Sequence, residues 1–244
     1  TGREVVVAGS MGPTGELFEP LGALSQAEGG EAFAEQAQAL AAGGVDALWI
    51  ETMSSREELA AALAGAATTG LPVVATLSFD TNGRTMMGVM PAEFAALCQG
   101  LSPRPLAYGS NCGVGAAEVV LSLLNMGRAA APGDILVAKG NCGIPYYVDG
   151  QIRYDGTPDL MADYARLARD AGARIIGGCC GTTPAHLKAM AEALRTHRPG
   201  PRPDLAEIVA RLGQVSAGGQ AQLAGAPASD EPGAGRRQRR RREA

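Results

Sequence analysis

"RIIGGCCGTTPAHL", residues 174–187, changes character twice along its length. A short apolar run ends in two glycines and two adjacent cysteines, and Thr183-Pro184 then opens a stretch bearing Ala and Leu. Threonine suits an N-cap, because its side chain can accept from a free helical N–H. Proline suits the first helical position, where no N–H is needed. The stretch therefore predicts a strand, a polar strand end and a helix, which together make one βα unit. Five more apolar runs precede it, at 4–10, 45–52, 71–79, 105–112 and 134–141. They are continuously apolar rather than alternating, as parallel strands covered on both faces require. Ser25 with Glu28, and Ser55 with Glu58, read as capping boxes for intervening helices, and Pro91 and Thr157-Pro158 mark two further helix starts. Strand starts 26–41 residues apart keep the rhythm of repeated βα units.

Nearly every run ends in polar or small residues: Ser10, Glu51-Thr52, Ser78, Asn111-Cys112, Lys139-Gly140-Asn141 and Cys179-Cys180. A site assembled from many successive strand ends belongs to a barrel, whose chemistry sits at the C-terminal face. A doubly wound sheet is the competing fold, but no G-x-G-x-x-G opens a helix after the first strand, which weakens its dinucleotide-binding form. The expected fold is α/β, a (β/α)8 TIM barrel in a six-unit portion (strands 3–8), with the first two βα units missing. Residues 1–213 are expected to form the barrel domain. Residues 214–244, rich in Gly, Ala and Pro with no apolar period, are expected to form a disordered Arg-rich tail.

Composition narrows the function classes. The chain has 244 residues, 46% of them apolar, which allows one sizeable core. The tail carries six arginines against three acids, so residues 1–213 hold −7 of a whole-chain charge of −4. An acidic body argues against a nucleic-acid-binding domain. The tail reads as a solvated extension, with contact to an acidic surface as the alternative. No run of 18 apolar residues and no signal-peptide pattern appears, so a soluble protein without membrane contact, in the cytoplasm, is expected. Five cysteines are too few and too scattered for a disulfide framework. In a reducing compartment, clustered ones more often bind metal or do chemistry.

Cys112 and the pair Cys179/Cys180 fall at strand ends, on the last unit and the one two before it. In a closed barrel those ends share a rim, so three sulfurs could converge. Three thiolates suit Zn2+ and leave a fourth tetrahedral position open, as a catalytic site needs. Gly177, Gly178 and Gly181 would let the backbone bend so that adjacent side chains reach one ion. The spacing matches no zinc-finger pattern, and small buried thiols at strand ends remain the alternative. Cys98 reads as core and Cys142 as a loop cysteine. His186 and His197 lie on or after the last helix, away from the rim. Lys139 stands where an aldolase-type barrel puts its Schiff-base lysine, but nothing flanking it supports that chemistry.

"GGCCGTTPAH" (177–186) with "GSNCGVG" (109–115) resembles the homocysteine S-methyltransferase family. That family includes betaine–homocysteine methyltransferase and the homocysteine module of cobalamin-dependent methionine synthase. The segments at 5–25, 48–55, 78–89 and 147–165 look similar as well, and the resemblance runs from about residue 3 to residue 212. It implies a zinc barrel with Cys112, Cys179 and Cys180 as ligands, and homocysteine methylated on sulfur to give methionine. No catalytic residue beyond the zinc site is then needed, since the metal itself secures the thiolate. Glu51 is implied as the partner of the substrate ammonium, while Asn111 either contacts substrate or braces its loop. The expected partners are homocysteine and a methyl donor, with a homo-oligomer left open. Animal betaine enzymes carry tyrosine directly after the glutamate, where this chain has Thr52. The segments "GSMGPTGE" and "RTMMGV" look closest to bacterial betaine enzymes. The donor expected is betaine or another small onium compound. The alternatives are a homocysteine subunit served by a separate methylcorrinoid protein, or a barrel fragment that only binds zinc or thiols.

Overall fold

The structure, a computed structural model, describes residue 2 and residues 4–225; the arginine run lies outside the described residues. Each expected apolar run becomes a strand: β1 (Ala8–Met11), β2 (Ala47–Met53), β3 (Val73–Leu77), β4 (Ala107–Cys112) and β5 (Leu136–Gly140), with the last at Ala173–Gly178. A short hairpin, β6 (Tyr146–Val148) and β7 (Gln151–Arg153), stands before that last strand, which is therefore β8. The main sheet is parallel in the order β1-β2-β3-β4-β5-β8, so each sheet strand pairs with the next one in sequence. Six successive βα units in that order are the architecture of part of a (β/α)8 barrel.

Helices α1 (Gln26–Ala42), α2 (Arg56–Ala67), α3 (Pro91–Gly100), α4 (Ala116–Met126), α5 (Pro158–Asp170) and α6 (Pro184–Thr196) connect and cover the strands. One core forms between strands and helices, around residues such as Leu48, Ile50, Leu77, Phe94, Tyr108 and Tyr164. Alternate strand residues on the other face make a smaller cluster, Val74, Ala107 and Val137, against Trp49, Ile135 and Ile175. This two-sided burial is why the strands read as continuously apolar. Among the described residues no helix is long and apolar enough to cross a membrane.

Helix starts follow the expected chemistry, with one difference. Ser25 and Glu28 form the reciprocal capping box. Ser55 also caps, accepting from Glu58 N, but the Glu58 carboxylate instead accepts from Thr14 N and Oγ1, both at 2.8 Å. The buried glutamate thus ties the loop after β1 to α2. At α6, His186 takes the glutamate's usual place: its Nδ1 accepts from Thr183 N at 3.0 Å, and its Nε2 lies 2.9 Å from Gly156 O.

Two boundaries differ from expectation. Strand β1 starts at Ala8 rather than residue 4, and Val5, Val6 and Val7 are exposed. The segment after 213, expected to be disordered, instead carries helix α8 (Ala217–Leu223), which follows α7 (Leu205–Leu212). Tertiary contacts supply what its composition lacks. Buried Glu118 accepts from Ser216 N and Oγ, Asn125 donates to Gly219 O, and Arg128 donates to Gln222 O and Leu223 O.

Candidate metal centre

Strands β4 and β8 flank β5, and the last ladder pairs, Cys112 with Gly140 and Gly140 with Gly178, bring their ends level. Helix α5 holds this end from behind. The buried Tyr164 hydroxyl accepts from Gly140 N at 2.9 Å and lies 3.4 Å from Gly177 O. Strands one apart lie roughly 10 Å from each other, so side chains on β4 and β8 must lean together to meet. Cys112 does so from a left-handed backbone, with φ of 59°. Of the three glycines expected to bend the chain, Gly181 has φ of 75°, and a Cβ there would run into the Tyr154 ring. A Cβ on Gly178 would strike Thr182, whereas Gly177 has open space.

The result is a cluster of Cys112, Cys179 and Cys180 whose Sγ atoms all lie within 4.8 Å of one another, Cys112 and Cys180 at 3.5 Å. A tetrahedral ion with Zn–S arms of about 2.3 Å needs sulfur–sulfur edges of roughly 3.8 Å. The cluster therefore fits one such ion with shifts of no more than about 1 Å. Its electrostatics also suit a cation. Cys179 is held down at about 6, chiefly because the Cys112 thiol donates to it, with burial opposing and the Lys139 ammonium assisting. Cys112, on the other side of that bond and partly buried, is pushed up. Cys98 is buried in the core, and Cys142 is buried in the loop after β5, its N donating to Cys180 O at 3.2 Å.

The thiols line an open cavity of about 550 Å³ together with Glu51, Thr52, Lys139 and Gly178. Glu51 thus shares the cavity with the cysteines. Its carboxylate accepts from Ser10 Oγ at 2.6 Å and pairs with Lys139, whose Nζ lies 5.4 Å over the Trp49 ring. Lys139 is a site residue that sequence reasoning set aside; only its place at the end of β5 signalled it. Asn111 is fully buried and turned on Thr52: Thr52 N donates to Asn111 Oδ1 at 2.9 Å, and Asn111 Nδ2 donates to Thr52 Oγ1 at 2.8 Å. Thr52 is β-branched with φ of 65°, a strained state that such a clamp maintains. The sequence marked Thr52 as a polar strand end but gave no sign of this backbone state.

A family model described as homocysteine S-methyltransferase matches residues 1–194. The chain belongs to the homocysteine S-methyltransferase family. The chain is 32% identical over 201 residues to the methionine synthase of Mycobacterium tuberculosis (strain ATCC 25618 / H37Rv), and 30% identical over 197 residues to that of Mycobacterium leprae (strain TN). The matches cover 79% and 77% of this chain but 16% of each methionine synthase, so the chain spans about a sixth of the length of these relatives. The crystal structure of the homocysteine methyltransferase MmuM from Escherichia coli, in its apo form, superposes with a TM-score of 0.57 at 25% identity. It covers 78% of this chain and 63% of that one.

Proposed function

We propose that this chain holds zinc through Cys112, Cys179 and Cys180 and methylates the thiol of homocysteine to give methionine. The observation that carries the reading is the convergence of three thiols, from two strands, on one side of an open cavity. Zinc held there would supply Lewis acidity that lets a fourth sulfur bind as thiolate near neutral pH. A free thiol, with pKa about 8.5, is mostly protonated there.

The chain's own residues do the rest. Glu51, at the cavity edge with a carboxylate already partnered by a cation, receives the homocysteine ammonium. Lys139 holds the carboxylate in place, and Asn111 fixes the Thr52 turn beside it. With a quaternary ammonium donor such as betaine, a new S–CH3 bond forms as the donor's C–N bond breaks, its electron pair staying on nitrogen as a neutral tertiary amine. No general base is needed in that step. His186, with both ring nitrogens engaged at a helix cap, is not placed to be one. The cytoplasm suits three free thiols.

The donor we favour is betaine or another small onium compound, whose positive charge complements the thiolates and acidic body. An aromatic face is absent at Thr52, but Tyr154 packs its ring against Gly181, next to Cys180, and quaternary ammonium groups seek such faces. The similarity to methionine synthases favours a second reading, in which a separate methylcorrinoid protein delivers the methyl group. Incubating the zinc-loaded protein with homocysteine and, in turn, betaine, S-methylmethionine and a methylcorrinoid protein separates them. Methionine from a small onium donor is expected. Turnover with the corrinoid protein alone would overturn the donor, and no methionine from any donor would overturn the activity.

A further inference from the structure

Helix α8 lies beyond residues 1–194, the span that matches the family model, and its sequence, "AGGQAQL", carries two adjacent glycines. Glycine is the poorest helix former after proline, so two of them inside a short helix call for a reason. Close packing supplies it. A Cβ on Gly218 would stand 2.0 Å from Asn82 O, and one on Gly219 would stand 2.7 Å from Leu121 Cδ2 and 3.0 Å from Glu118 Oε1. Gly83, facing them, is as tight, since a Cβ there would stand 2.6 Å from Gly219 N. Backbone thus meets backbone, and polar bonds fasten the contact. Gly218 N donates to Asn82 Oδ1 at 2.7 Å, and Gln222 Nε2 donates to Gly83 O at 3.0 Å.

Asn82-Gly83 is the tip of the loop between β3 and α3. With φ of 52° and 78°, between Thr81 and Arg84 that exchange backbone bonds, it is the tight two-residue turn that Asn-Gly favours. Farther along the loop, Thr85 Oγ1 donates to Ser54 O at 2.6 Å, and Ser54 directly follows β2, the strand that carries Glu51 and Thr52 to the cavity. On its other side α8 rests on α4, the helix that follows Cys112. Glu118, in the first turn of α4 and 3% exposed, accepts from Ser216 Oγ at 2.6 Å. We propose that residues 216–223 are a strap on the rim of the cavity: from a base on α4 they grip the tip of the β3–α3 loop and keep it seated against the end of β2. Loops that border ligand sites belong to the least stable parts of a fold, so a tie from outside decides how often they open. The strap requires neither bound metal nor methyl transfer.

The test is hydrogen exchange of the metal-free full chain, followed by mass spectrometry of the peptide spanning 80–89, where the amides of Thr81, Arg84, Thr85 and Val89 are hydrogen-bonded. Gly218→Ala is the decisive variant. Alanine favours the helix itself, yet its methyl group collides with Asn82 O, so helix stability and strap contact move in opposite directions. Exchange in 80–89 is expected to quicken about 10-fold, as the loss of one or two hydrogen bonds would give, while β5 and α5 keep their rates. Asn82→Gly keeps a residue that suits the turn but removes the acceptor for Gly218 N. It is expected to act in the same direction, and it decides the matter should Gly218→Ala fail to fold. If α8 only covers α4, Gly218→Ala leaves 80–89 at the wild-type rate and raises the melting temperature, and that result overturns the strap. Exchange that quickens equally in β5 and α5 overturns it too, since the segment would then act on global stability alone.

Discussion

Cys180→Ala is expected to strip zinc from the purified protein, taking it from about one ion per chain to none retained through gel filtration. Loss of a supporting hydrogen bond to a ligand weakens a metal site roughly 10- to 100-fold, and loss of one of three anchoring sulfurs must exceed that. Cys180 is the informative choice because it is exposed, so alanine there removes a ligand without opening a cavity. Its Sγ lies 3.5 Å from that of Cys112, and the two remaining thiols offer too few arms for a tetrahedral ion. Cys98→Ala and Cys142→Ala are the controls. Both cysteines are buried, so each variant should lose stability and keep its zinc. Metal analysis of the four proteins checks this, and stoichiometric zinc in Cys180→Ala would refute the ligand set.

Glu51→Gln is expected to raise KM for homocysteine about 10- to 150-fold with zinc content unchanged, since a hydrogen bond to a charged group is worth about 1.5–3 kcal/mol. The substitution keeps size and shape but removes the negative charge that the substrate ammonium would meet. It also leaves Lys139 without its carboxylate partner, although the Trp49 ring and the Cys179 thiolate still face that ammonium. Steady-state kinetics at saturating donor, with zinc measured on the same samples, separates the two effects. An unchanged KM would assign Glu51 to pairing with Lys139 and Ser10 alone.

The six sheet strands could be read in the sequence because burial on both faces made each a continuous apolar run, and helix starts could be read because proline and capping residues act locally. What failed was decided by partners distant in sequence. Val5–Val7 look like strand but stay exposed. Ser216–Leu223 look unstructured, yet they gain a helix from bonds to Glu118, Asn125 and Arg128, roughly a hundred residues away. The β6–β7 hairpin was readable in principle. Asp149-Gly150, with φ of 50° and 75°, is the two-residue turn such pairs favour, and it went unread between the stronger signals of β5 and α5. At the site, the cysteines declared themselves by type and place. The Lys139–Glu51 pair and the Thr52 backbone did not, because each is a relation between segments rather than a pattern within one.

The central claim is that three protein sulfurs leave a place for the substrate's own. Zinc-edge X-ray absorption on the zinc-loaded protein, before and after adding homocysteine, tests it most directly. Three sulfur neighbours at about 2.3 Å with one lighter atom are expected first, becoming four sulfurs once homocysteine is bound. A sulfur count that homocysteine leaves unchanged, or that never reaches three, would contradict the account.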